Sequence, residues 1–339
     1  MFPLASPLSV IVPIHNRADL AERAFAALAR WTIPVEVVVV DDGSSDPGVE
    51  RLRRQESDRR GPRVAWLHNE EAKGFSAAIN RGIERATGNF LLLLNSDAEV
   101  SAGSDRALLA GLAALDGKGA VAARLLYPDG RAQWSGGRFP TLPWLFALAS
   151  GLGRHARLRT RTGAPSGFAG GPVDWAPAAA LAFSRETWRA VGPFDETYRH
   201  YAQDLDFCTR LGAAGLPVRV LADWTVLHHL GGSLKSLEPL ESLESLVPAT
   251  SGGSGGPGRT GSDAARRGGG SAGYDGQRLD LLWGDLLHWA ELHRGAAWTA
   301  RARRRLILGG RLRQLMLLSR SDSAEARAVA SALHALRTR

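Results

Sequence analysis

The sequence holds a single cysteine, Cys208, so no disulfide can close within the chain, which fits a reducing compartment. It has no apolar run near the roughly 20 residues that a bilayer-spanning helix needs. The opening Met1-Phe2-Pro3-Leu4 lacks the charged start and apolar stretch of a secretory leader. The expectation is a chain that does not cross a membrane and resides in the cytoplasm. Two phosphate-binding signatures are missing as well. No G-x-G-x-x-G follows the first predicted strand, which argues against a dinucleotide fold, and no P-loop follows it, which argues against ATP-hydrolysis machinery. Net charge is also small where most of the chain lies. Of the net +8, residues 278–339 carry +7, from 12 Arg against five acids, which leaves +1 for the other 277 residues. The arginines are not interleaved with the aromatics that a single-strand binder would stack on bases, so a nucleic-acid role is set aside.

Against that background one stretch organises the chain. Phe90 and Leu91-Leu92-Leu93-Leu94 read as a strand buried on both faces of a parallel sheet, and the run stops abruptly on Asn95-Ser96-Asp97. Ligands in open α/β sheets sit just beyond the carboxyl ends of such strands, and a carboxylate there can grip a hard metal ion that bridges phosphates. Turn formation alone is the competing explanation for Asn-Ser-Asp. Upstream, Ser9–Pro13 and Val35–Val40 read as strands joined by a helix over Asp19–Trp31, a right-handed βαβ unit. A helix from about Val49 to Ser57, a strand over Val64–Leu67 and a helix over Gly74–Ala86 complete the alternation expected of a doubly wound sheet. The second strand ends in Asp41-Asp42-Gly43-Ser44. There Asp42 can accept from a base N–H or a ribose hydroxyl, or the segment can simply be a tight turn with capping side chains.

Tyr127-Pro128-Asp129-Gly130 is a turn signal. Leu142–Leu152 reads as a core helix, with a flap over an acceptor as the alternative. A second dense group follows: Asp204 and Asp206 in the first turn of a helix that Gly215 ends. The helix dipole favours acids there, but both cannot be the cap, which leaves one carboxylate free to act as a general base. Val218–Leu221 and Thr225–Leu227 read as short strands leading to His228-His229, a candidate metal-ligand pair at a strand end. Between 252 and 276, 11 of 25 residues are glycine, so no core can form there and a flexible linker or loop is expected. Leu279–His293, Trp298–Leu318 and Ala324–Leu336 then resume helical patterns. The expected divisions are a catalytic domain over 1–233, a Gly/Ser-rich linker over 234–277 and a basic amphipathic helical extension over 278–339. Three roles stay open for the extension: packing on the catalytic domain, self-association into a homo-oligomer, or peripheral contact with the inner face of the cell membrane.

Taken together, the blocks Val10–Pro13 with Asn16-Arg17, Val39–Asp46, Gly74-Phe75 with Asn80 and Gly82, Asn95-Ser96-Asp97, Gly192–Glu196, Asp204-Leu205-Asp206, and His228 with Gly231 and Ser233 resemble the inverting glycosyltransferases of family two, and among them the bacterial rhamnosyltransferase-like enzymes of surface polysaccharide synthesis. The resemblance covers roughly Leu8 to Ser233. It implies a GT-A fold, an α/β Rossmann-like mixed sheet flanked by helices, here with a C-terminal helical extension. It implies a nucleoside-diphosphate sugar donor, linked to dTDP or UDP, and a hydroxyl on a glycan or lipid-linked saccharide as acceptor. Pro13, Asn16, Asp42, Asn95 and Asp97 would bind the nucleotide sugar. Asp97 and His228 would hold Mg²⁺ or Mn²⁺, and Asp204 would be the general base. Gln203, Asp206, Trp175 and His229 are acceptor-side or secondary positions. Gln203 stands where the family usually has Glu, which removes like-charge repulsion and should lower the Asp204 pKa relative to a Glu-Asp pair. Ala72 and Ala178 stand where Asn and Gly are common. A sugar nucleotidyltransferase would want a glycine-rich basic loop in place of Ile14-His15-Asn16-Arg17. The remaining alternative is a catalytically degenerate nucleotide-sugar-binding or scaffolding protein.

Overall fold

The computed structural model of the chain describes residues 8–58, 63–152, 170–229, 276–317 and 324–338. The Gly-rich segment up to residue 275, with Gly231 and Ser233 of the last motif block, lies outside these residues. Strands β1 (Leu8–Ile14), β2 (Val35–Asp42), β3 (Arg63–Asn69) and β4 (Phe90–Leu94) pair in parallel in the order β3-β2-β1-β4, linked by helices α1 (Ala18–Leu28), α2 (Pro47–Asp58) and α3 (Phe75–Arg85). Beyond β4 the pattern becomes mixed. Strands β5 (Ala98–Val100), β6 (Ala120–Leu126), β7 (Gly171–Val173), β8 (Ala180–Ser184) and β9 (Val218–His228) extend the sheet as β4-β8-β6-β9-β5, with β7 also on β9. Strand β8 runs antiparallel to both β4 and β6.

Valine and leucine runs make the central strands apolar on both sides, and each face finds its own helices. Val10, Val12, Val37, Val39, Leu92 and Leu94 point into one cluster with α1 and helix α4 (Ser104–Ala113). Their neighbours Ile11, Val38, Leu91 and Leu93 enter a second cluster with Ile79 and Ile83 of α3 and with Phe207, Cys208 and Leu211 of helix α7 (Gln203–Ala213). All ten of these residues on β1, β2 and β4 are fully buried or nearly so.

The expected strands at Val218–Leu221 and Thr225–Leu227 are one strand. Its parallel partner β6 shifts register between Ala123 and Arg124, opposite Leu221 and Thr225, so residues 222–224 pass the break unpaired while Trp224 stays fully buried. A break in pairing is thus not a break in the strand. The third strand is also longer than Val64–Leu67. It runs on to Asn69, which the register sets opposite Asp42.

Leu142–Leu152 forms a core helix, α5 (Leu142–Ser150), capped at Thr141, whose hydroxyl accepts from the Trp144 amide. It lies in a third apolar cluster with α8 (Gly276–Arg294), α9 (Ala296–Met316) and α10 (Ala324–Thr338), and with Tyr198, Tyr201 and Leu205 ahead of and inside α7. Trp283, Trp289, Leu282 and Leu286 of α8 are buried there. The C-terminal helices therefore have an interior face shared with the sheet-bearing segment. One carboxylate locks that contact. Asp285, buried on α8, accepts from the backbone amides of His200 (3.0 Å) and Tyr201 (2.9 Å) and from Arg199 Nε (3.3 Å). Replacing it by alanine strands two amides without their acceptor. Asp285→Ala is expected to cost about 2–4 kcal/mol of stability in urea melts.

Candidate active site

Loops at the carboxyl ends of β1 and β2 interlock. Asn16, in left-handed backbone geometry (φ 62°), accepts through Oδ1 from the amides of Ser45 (2.8 Å) and Asp46 (2.9 Å), and its own amide donates to Ser44 Oγ (2.8 Å). Asp46 in turn accepts from the amides of Ala18 and Gly48, one at the start of α1 and one in the first turn of α2. The Asn16 side-chain oxygen is thus committed to the protein, and only its amide nitrogen is left to face the groove. Pro13, half-buried, sits opposite Val40 on this rim.

Asp42 is buried, and its carboxylate accepts three hydrogen bonds: from Asn69 Nδ2 (2.7 Å) and the Lys73 amide (2.8 Å) at Oδ1, and from the Gly74 amide (2.8 Å) at Oδ2. It draws the 69–74 loop against the tip of β2. Gly43 (φ +68°) makes that approach possible, because a Cβ there would lie 2.6 Å from the Ala72 amide nitrogen.

At the end of β4 the ladder runs out. The Asn95 amide turns to the carbonyl of Ala179 (3.0 Å), just before β8. Asp97, with 15% of its side chain exposed, faces His228 at the end of β9, with Oδ1 3.3 Å from Nε2. The tautomer of His228 follows from a neighbour. Gln133 directs its amide nitrogen at two carbonyls, of His228 (2.6 Å) and Leu126 (3.3 Å), so its Oε1 must receive the proton of His228 Nδ1 (3.1 Å). The lone pair of Nε2 then points towards Asn95 Nδ2 (3.4 Å) and the Asp97 carboxylate. The imidazole lone pair and the carboxylate thus stand side by side as acceptors. The donor set of one carboxylate and one oriented imidazole suits a divalent ion that takes its remaining ligands from a phosphate and water. Among the described residues there is no group of three or more His, Cys, Asp or Glu that could hold a metal by itself. The other member of the histidine pair is turned elsewhere: His229 Nε2 bonds Glu99 Oε1 at 2.6 Å.

The two acids of α7 separate cleanly, and neither caps the helix. The N-cap is Ala202, in left-handed geometry with no side-chain cap. Asp206 is buried and fully engaged, with Arg210 (2.8 Å) on its own helix and His293 Nε2 (2.7 Å) on α8. Its place is therefore between two helices. Among the described residues Asp204 has no cation beside it. Its Oδ1 accepts from the next amide, Leu205 (2.9 Å), and Oδ2 from the Ala178 amide (3.2 Å). Desolvation outweighs those hydrogen bonds and pushes its carboxyl up to about 6. Because Ala179 holds Asn95 and Ala178 holds Asp204, two consecutive residues tie the metal-side loop to the candidate base. Gln203 keeps its Nε2 on the His200 carbonyl (3.2 Å), while its Oε1 is buried with no partner among the described residues. Trp175 donates from Nε1 to the Arg138 carbonyl (3.1 Å) and packs on Trp134 with ring centroids 4.5 Å apart.

Gln133, Asn69 and Trp134 are the members of this neighbourhood that no sequence pattern picks out. The Asp-Gly turn at 129–130 places β6 and the 132–135 segment back to back, and that turn is the only signal that Gln133 could reach a neighbouring strand.

The chain matches known proteins in the same region. Residues 9–178 match the family model described as Glycosyl transferase family 2. The chain is 29% identical over 237 residues to the O-antigen biosynthesis protein RfbC of Myxococcus xanthus, covering 68% of this chain and 18% of that one. It is also 29% identical over 250 residues to the N-acetylglucosaminyl-diphospho-decaprenol L-rhamnosyltransferase of Mycobacterium tuberculosis, covering 66% of this chain and 76% of that one. The chain thus spans less than a fifth of the length of the first relative. Among solved structures, a mannosyltransferase from Pyrobaculum calidifontis in complex with GDP-Man and Mn²⁺ superimposes with a TM-score of 0.54 at 15% identity, covering 98% of this chain and 85% of that one. That likeness shows the fold alone, a GT-A type mixed α/β sheet.

The pH dependence of stability checks the state of Asp204. A carboxyl near 6 when folded and near 4 when unfolded burdens the native state once it ionises, so the cost is absent below about pH 4 and complete above pH 6. Asp204→Asn is expected to melt as the wild type does at pH 4 and to be more stable by on the order of 2 kcal/mol at pH 8.

Proposed function

The chain belongs to glycosyl transferase family 2, and we propose that it transfers a sugar from a nucleoside-diphosphate donor to a hydroxyl of a glycan or lipid-linked saccharide, with inversion at the anomeric carbon, in surface polysaccharide synthesis. The observation that carries this reading is the carboxylate of Asp204: without a cation partner among the described residues, raised to about 6 by desolvation, and tied through Ala178 and Ala179 to the loop that presents Asn95 and Asp97. A base poised near neutral pH, one dipeptide away from a cation-seeking carboxylate–imidazole pair, suits a displacement that needs both a proton acceptor and a stabilised leaving group.

In that reading the acceptor hydroxyl loses its proton to Asp204 as its oxygen forms the new bond to the anomeric carbon. The bond from that carbon to the diphosphate oxygen breaks on the opposite face. No protein nucleophile takes part. Bound Mg²⁺ or Mn²⁺ would supply charge neutralisation for the diphosphate. Asp97 and His228 would hold it, and Gln133 fixes the imidazole so that Nε2 is the ligand atom. Pro13, the Asn16 amide group and the 69–74 loop positioned by Asp42 would line the base and ribose. Gln203 Oε1, buried and without a partner among the described residues, would accept from a second acceptor hydroxyl once the acceptor is seated. The Trp134–Trp175 pair offers an apolar wall on that side. A dTDP- or UDP-linked donor is the expected class, and the rhamnosyltransferase among the relatives supports a deoxyhexose.

Asp204→Asn is expected to lower the turnover number by about 10²–10⁴-fold with little change in donor affinity, as read in a transfer assay. Unchanged turnover would remove Asp204 from the mechanism. Melting-temperature panels with UDP, dTDP and GDP, each with and without Mn²⁺, are expected to show metal-dependent stabilisation by one nucleotide that Asp97→Ala abolishes. Gln133→Leu is expected to weaken Mn²⁺ binding by about 10–100-fold in a spin-resonance titration made with nucleotide but no acceptor. Stabilisation by a nucleotide without turnover on any acceptor would point instead to a nucleotide-sugar-binding protein.

A further inference from the structure

Helix α9 has two faces of opposite character. The inner face, Ala302, Leu306, Gly309, Gly310 and Arg313, is buried. Its glycines let α9 press close to its neighbours: a Cβ on Gly309 would lie 2.7 Å from the Phe146 carbonyl oxygen of α5, and one on Gly310 would lie 2.8 Å from the Trp283 ring of α8. Arg313 on this face is neutralised by Glu325 (2.6 Å). The outer face lies half a turn away and carries Arg301, Arg304, Leu308, Arg311 and Leu315 at helical spacing, with Met316 beside it. Leu308, Leu315 and Met316 are 54%, 62% and 49% exposed, and with Leu292 they are the exposed large hydrophobic residues of the described chain. The helix has no Asp or Glu at all. Arg304 and Arg311 form no ion pair among the described residues.

A helix that has already buried its packing face has no structural reason to show water three large apolar side chains in a frame of arginines. Arginines alone would be an ordinary solvated face, and leucines alone would suit a second copy of the chain. The combination of aliphatic ridge and unopposed positive charge matches a lipid surface, where the side chains enter the acyl boundary and the guanidinium groups meet anionic headgroups. Nucleic acid has the charge but offers nothing for aliphatic side chains. A second copy would bring a like-charged face against this one. The helix is not long and apolar enough to cross a membrane, so it would lie in the plane of the interface. We propose that the outer face of α9 docks this protein on anionic bilayers. This goes beyond the chemistry read at Asp204 and does not depend on it.

The test is flotation of the full chain with vesicles of phosphatidylcholine alone and of phosphatidylcholine mixed with phosphatidylglycerol. Two variants accompany it, one with Arg304→Gln and Arg311→Gln, the other with Leu308→Gln and Leu315→Gln. All four positions are exposed, so melting temperatures should match the wild type and certify the fold. The expected result is flotation with the anionic vesicles only, weakened by salt, with affinity lower by about fivefold for each arginine removed and lower again in the leucine variant. Absence of flotation, or equal flotation of all three proteins, would overturn the proposal. So would a dimer in sedimentation that the leucine variant dissolves, which would assign the face to a second copy. Displacement from vesicles by an oligonucleotide whose binding survives the leucine changes would overturn it in favour of nucleic acid. Nucleotide-induced stabilisation should be the same in both variants and the wild type, which separates failure here from failure at the candidate active site.

Discussion

A buried strand cannot simply stop: where β4 leaves the sheet, the next amide still needs an acceptor. Asn95 finds one in the Ala179 carbonyl, and that crossing ties the tip of β4 to the start of β8. It brings the chain entering β8 over the tip of β4. The adjacent Ala178 amide then reaches Asp204 at the start of α7. Three segments far apart in sequence, near residues 95, 178 and 204, are thereby fixed relative to one another through backbone groups alone.

The aspartates show how environment divides one residue type among different tasks. Asp42, Asp206 and Asp285 are all buried and all satisfied, by amides in the first and third cases and by arginine and histidine in the second. Each acts as a fastener. Asp204 accepts from backbone amides and has no cation beside it among the described residues, so the cost of removing its charge from water is not repaid and its proton is held to higher pH. A neutral Gln203 beside it adds no repulsion, so the rise comes from desolvation and not from a like charge. Asp97 differs again. It is only partly covered and stands against a histidine whose tautomer Gln133 has already set.

The C-terminal helices illustrate a limit of reading periodicity. Their arginines suggest a solvated appendage, and those at 301, 304 and 311 on the outer face of α9 are exposed. Yet Trp283, Trp289, Leu306 and Leu333 are buried, and Asp285 and His293 reach across to the segment around α7. The extension therefore buttresses the helix that carries Asp204 and so belongs to the architecture of the site.

Residues alone established a good deal. The two-sided apolar runs at 10–12, 35–40 and 91–94 made a buried parallel sheet unavoidable, because no other arrangement hides both faces of such strands. The turn residues after each run placed the polar groups at one edge, and the motif order carried the family resemblance. Left open by the sequence was which acid does what. Asp204 and Asp206 are two residues apart on a first helical turn, and only the approach of α8 shows that Asp206 is spent on Arg210 and His293. His228 and His229 are neighbours on a strand end, and only the pairing of β9 with β5 sends one ring to Asp97 and the other to Glu99. Gln133 acquires a role only because β6 and β9 lie side by side. Local sequence decides which segments are strands and helices through burial and backbone chemistry. Contacts made across more than 80 residues decide protonation, orientation and partner, because those depend on which groups share a small volume from which water is excluded.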